Sequence, residues 1–136
     1  MTQVIEGRVE VVQIGQWWML SQQLRYRNDE VEVIVPEGFV TDFASIPRPL
    51  WSIFPPTDAR YSVATIIHDR LYETHELSRA GADELMCRIS AMTGTPAWKR
   101  RAMFAAVRAF GGQSYATGPD RQKARVVAYH AITGSF

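Results

Sequence analysis

Three stretches of the chain place reactive side chains at short spacing. The first is His68-Asp69-Arg70-Leu71-Tyr72. On a helix, residues four apart share a face, so Tyr72 sits one turn above His68. Asp69 points in a slightly different direction and would line the same pocket without bonding the imidazole. His68 is in register with Tyr61, Ala64, Leu71 and Tyr72, an otherwise apolar face. A histidine at such a core boundary must find hydrogen-bond partners, because an unpaired buried imidazole costs on the order of a few kcal/mol. The second stretch supplies one: Asp83, fifteen residues later. If residues 73–77 turn the chain into an antiparallel helical hairpin, Asp83 faces back towards His68. An acid on imidazole fixes its tautomer and raises its basicity, which is how a general base is built. His68, Asp83 and Tyr72 are therefore the candidate catalytic residues, and Asp69 is left for a hard cation such as Ca²⁺. The same three residues also read as a buried network that only locks two helices together.

The third stretch is TDFASIPR, residues 41–48, with Asp42, Ser45 and Arg48 in a loop between a strand and a helical turn. Arg48 offers a planar fork for an anion or a carboxylate. The plain alternative is that Ser45 caps the turn and Arg48 pairs with Asp42. A Ser45–His68–Asp83 triad is formally possible, but nothing like G-x-S-x-G surrounds Ser45. His75 falls in the inter-helix turn and His130 in the tail, no HExxH occurs, and Cys87 is the only cysteine. A zinc site is not expected.

The elements that must hold these groups follow from periodicity. Residues 4–12 alternate as a half-buried strand, Gly15 breaks the run, and residues 17–26 are rich in strand formers. After the turn residues Arg27-Asn28-Asp29, Val31, Val33 and Val35 face one way and Glu30, Glu32 and Ile34 the other, ending at Pro36. This predicts an antiparallel meander of about three strands. RPLWSIF, between prolines, predicts a short helical turn. Asp58 or Thr57 caps a helix running to about Glu73. A second helix runs from Ser78 to about Met92, with Ala82, Leu85, Met86 and Ile89 at core spacing. Thr95-Pro96 opens a third, carrying Trp98, Ala102, Ala105, Ala106 and Phe110, and Gly111-Gly112 stops it. The expected fold is α+β: a small sheet followed by a helical turn and three helices, with residues 1–112 as one domain. Residues 113–136 form a basic tail that is either a last strand or an arm docking on a neighbour.

The 136 residues carry a net charge of +1, with 46% hydrophobic and 21% charged side chains, ordinary values for a soluble chain. The near-neutrality conceals a split. Residues 1–93 hold 8 basic against 13 acidic side chains, and residues 94–136 hold 7 against 1. The basic end, Lys99-Arg100-Arg101 and Arg108, then Arg121, Lys123 and Arg125, suits a solvated face, an acidic partner, a phospholipid surface or the acidic body of a second copy. Nucleic acid is disfavoured, because aromatics do not interleave with these charges. No apolar run approaches the eighteen or so residues of a membrane span, and MTQVIEGRVEVVQ lacks the apolar core of a secretion signal. A reducing interior is the expected compartment, and no disulfide can form within the chain.

VPEGFVTDFASIPRPLW, HDRLYE, an Asp on the next helix and TPAWKR together resemble a widespread uncharacterised family of phage and prophage proteins. Its hallmark is T-D-[FG]-A-S-I-P-R paired with H-D-x-L-Y, and the resemblance covers residues 17–111. It implies phage or prophage origin, other phage proteins as partners, and a place in the host cytoplasm or the virion. The site alone is also similar to that of the phospholipase A2 superfamily, where H-D-x-x-Y and an Asp on the antiparallel helix form the catalytic group. That likeness implies His68 as base, Asp69 as Ca²⁺ ligand, and Tyr72 and Asp83 as the orienting network. Asp42 and its loop would stand in for the glycine-rich calcium loop, which this chain lacks along with the paired cysteines. Two readings result: a small hydrolase-like enzyme, or a non-catalytic tail or baseplate component whose basic tail docks on a neighbouring subunit.

Overall fold

A computed structural model describes residues 2–43, 48–55 and 58–134. Two compact units make up the chain, one of residues 1–42 with 120–136 and one of residues 43–119.

The first unit is built on six short strands: β1 (Val4–Glu6), β2 (Val11–Ile14), β3 (Trp17–Leu20), β4 (Leu24–Arg27), β5 (Glu32–Val35) and β6 (Val40–Thr41). They form two antiparallel three-stranded sheets, ordered β1-β4-β5 and β2-β3-β6. A three-stranded meander is therefore too simple, because each long strand predicted from the pattern is cut in two. Gly7 is one cut. It has φ +87°, and a Cβ on it would lie 2.6 Å from the Gln23 carbonyl oxygen. The chain can turn there only without a side chain. Where strands persist, the expected alternation holds. In β5, Val33 and Val35 are buried while Glu32 and Ile34 face out, and in register Tyr26 meets Val33 and Leu24 meets Val35.

The C-terminal residues do not form the last strand that their apolar run suggested. Residues Arg121–Thr133 are a helix, here α5, ended by Gly134 in the left-handed conformation. Val126, Val127, Ala128 and Tyr129 lie within it. Its Gln122 side chain bonds the backbone of Val40 twice, Oε1 accepting from N–H at 2.6 Å and Nε2 donating to the carbonyl at 2.9 Å. Arg125, only 5% exposed, pairs with Asp42 at 2.9 Å.

The second unit is helical. A 3-10 turn at Arg48–Leu50 precedes α1 (Ser62–Thr74), α2 (Arg79–Met92), α3 (Ala97–Phe110) and the short α4 (Gly112–Ala116). The start of α1 differs from expectation. Asp58 turns its carboxylate onto the Arg60 N–H and guanidinium, and its backbone carbonyl receives the Ser62 N–H. Thr57 lies outside the described residues. At α2 the expected cap is present, with Ser78 Oγ accepting from the Gly81 N–H at 3.1 Å. Ala82, Leu85, Met86 and Ile89 are all buried. In α3 the inward face is Met103 and Val107, whereas Trp98 and Phe110 are exposed. Pro96 occupies the cap position rather than the first turn, and Thr95 donates its hydroxyl to the Arg60 carbonyl.

Candidate functional site

The four residues 75–78 link α1 to α2, and the two helices pack on each other. The packing buries a polar group. His68 Nε2 lies 2.7 Å from Asp83 Oδ1, Tyr72 Oη donates to the same oxygen at 2.5 Å, and Arg108 Nη1 donates to Oδ2 at 2.8 Å. The His68 and Tyr72 rings lie 4.1 Å apart between centroids, one turn apart on α1. His68 is 1% exposed, Asp83 0% and the Arg108 side chain 38%. Three helices thus converge on one carboxylate.

Burial pushes the Asp83 carboxyl up, but hydrogen bonds from His68, Tyr72 and Arg108 together outweigh it and hold the group below the ordinary carboxylate range. An ionised carboxylate only accepts, so Nε2 of His68 carries a hydrogen and donates it. In the neutral ring the basic lone pair is then on Nδ1. The Tyr72 phenol is pushed up strongly, first by burial and then by its bond to Asp83, so it remains a donor. The structure thus joins His68, Asp83 and Tyr72 in one hydrogen-bonded group.

Arg108 was not among the site residues expected from sequence. It stands in a helix with three other basic residues and no acid, so its charge reads as solvated surface. The one signal available is spacing: Arg108 follows Val107, whose burial turns that part of α3 inwards.

Asp69 is buried, at 5% exposure, on α1 beside His68. Asp42 belongs to the first unit, where it takes the Arg125 guanidinium. Arg48 lies with its guanidinium 5.2 Å from the Trp51 ring centroid. Ser45 lies outside the described residues. Among the described residues no three His, Cys, Asp or Glu side chains gather as a metal-holding group. His75 stacks flat on Tyr115 with centroids 3.8 Å apart. No helix among the described residues is long and apolar enough to cross a membrane.

Residues 18–107 match the family described as protein of unknown function (DUF1353). The uncharacterized protein y4jT of Sinorhizobium fredii (strain NBRC 101917 / NGR234) is 36% identical over 78 residues. That stretch is 57% of this chain and 23% of the relative, so the chain spans only about a quarter of the curated relative it matches. No solved structure matches. The family match takes in all of α1 and α2 and nearly all of α3, with His68, Tyr72 and Asp83 inside it, and by that match the chain belongs to the DUF1353 family.

Proposed function

We propose that the chain is a phage- or prophage-type protein with a hydrolase-like acid–base site, in which His68 is the general base and Asp83 orients it. The observation that carries this reading is the 2.7 Å contact from His68 Nε2 to a carboxylate that two further donors keep ionised. A histidine oriented in this way can take a proton from water as the water attacks an ester, and return it to the departing alcohol. Positive charge on the imidazolium is then stabilised by Asp83. The proton transfer stands without a cation. Ca²⁺ belongs in the test because Asp69 directly follows His68.

The test compares the native chain with His68→Gln on carboxylic and phosphate esters, with and without Ca²⁺. The glutamine amide can still donate to Asp83 but cannot serve as base. Native turnover that falls about 10²-fold or more in the variant, with the thermal midpoint kept, supports the reading. Equal turnover in both proteins refutes it.

The burial of His68 at 1% and Asp83 at 0% favours a second reading, a non-catalytic virion component in which the group ties three helices together. Outward charges such as Lys123 on α5 would then meet an acidic neighbour or a second copy. A native chain inert on every ester points this way. Location follows function: host cytoplasm for the enzyme, the virion for the structural component.

A further inference from the structure

Gly111 closes α3, and the ordinary reason for glycine there is the left-handed conformation that other residues resist. Gly111 has φ −82°, a right-handed value open to any residue. What excludes a side chain is contact. A Cβ on Gly111 would lie 2.8 Å from Tyr72 Oη, 3.3 Å from Tyr72 Cε2 and 2.5 Å from the Val107 carbonyl oxygen. Ordinary contact begins near 3.4 Å, so the hydroxyl would have to move by about 0.6 Å.

Tyr72 has little room to move. Its ring is bounded by His68 at 4.1 Å and by the edge of Tyr115 at 5.2 Å between centroids. Behind it, a Cβ on Gly118 would fall 1.9 Å from the Tyr72 carbonyl oxygen, so the backbone of α1 is pressed there by another glycine. The residue is 2% exposed. A methyl at position 111 therefore acts on the hydroxyl end of the phenol, which is held 2.5 Å from Asp83.

We infer that Gly111 is a positioning residue for the site: its missing side chain is the space that lets Tyr72 share Asp83 Oδ1 with His68. This deepens the acid–base reading above and rests on it for its functional meaning, though its test needs no turnover. Two donors on one oxygen compete, so withdrawing Tyr72 strengthens the His68–Asp83 bond. The readout is the Nε2–H proton of His68 in protein labelled with ¹⁵N-histidine, assigned by its loss in His68→Gln. Tyr72→Phe should move that proton downfield, Gly111→Ala should move it the same way, and the double variant should move it no further. Thermal midpoints provide the second measurement, with Gly111→Ala costing less in the Tyr72→Phe background than in the native one.

If Gly111→Ala does not fold but the double variant does, suppression by the lost hydroxyl supports the inference directly. If both fail, the Val107 carbonyl alone demands glycine and the inference is overturned. It is overturned equally if Tyr72→Phe moves the proton while Gly111→Ala leaves it in place, or if the two midpoint losses simply add. A proton that follows Gly111 in a chain with no esterase activity would keep this inference and remove the hydrolase reading.

Discussion

Each unit contains an aspartate gripped by an arginine from the basic end of the sequence, and the two pairs are built inside out relative to each other. In Asp83–Arg108 the acid is sealed at 0% and the arginine reaches it from a 38% exposed position. In Asp42–Arg125 the arginine is sealed at 5% and the acid is 22% exposed. The first pair is a place for a carboxylate: His68 and Tyr72 also converge on it, and the guanidinium neutralises it from the rim. The second is a place for a guanidinium, whose face also lies 5.9 Å from the Trp17 ring centroid, and its product is the attachment of α5 to β6. The same two residue types therefore do different work according to which partner is withdrawn from water.

The contrast can be broken by deletion, and the largest effect belongs to Asp83→Ala. It strands buried donors on His68 and Tyr72 and should cost about 3–5 kcal/mol in urea unfolding. Arg125→Ala comes next, at about 2–3 kcal/mol, because it removes a buried stem as well as a charge, while Asp42 regains water. Arg108→Ala should cost least, about 1 kcal/mol, since the vacated rim admits water to Oδ2. An Arg108 variant less stable than the Arg125 variant would reverse the assignment of which partner each site holds.

Acid titration sharpens the same comparison. Asp83 has a folded pKa below its unfolded value near 3.9. Its contribution is therefore complete above about pH 4 and fades as pH falls through the lower folded value. Asp83→Asn should be less stable at neutral pH and should flatten the acid limb, measured as unfolding midpoint against pH. An unchanged acid limb would mean that Asp83 is not held ionised.

Legibility from sequence followed the range of each interaction. The α2 core, the Ser78 cap and the His68–Asp83–Tyr72 group were readable, because each depends on helical periodicity or on a hairpin of adjacent helices. Arg108 was not, since a cation 25 residues from its acid is marked locally only by its place after Val107. Nor was the division of the strands, because Gly7 turns the chain against the Gln23 carbonyl, a partner sixteen residues away. The apolar run at residues 126–129 misled for a related reason: four residues are too short to tell strand from helix.

The two bonds from Gln122 to Val40 have a consequence for solubility. A residue in a strand directs its N–H and carbonyl to the same side, and here both are taken by one side-chain amide. Gln122 thus imitates a one-residue neighbouring strand and blunts an edge of β6 that would otherwise be open to a foreign chain. Ending the protein before residue 120 would remove this stopper along with the helix that carries it, and the shortened chain should precipitate by edge-to-edge association more readily than the intact one.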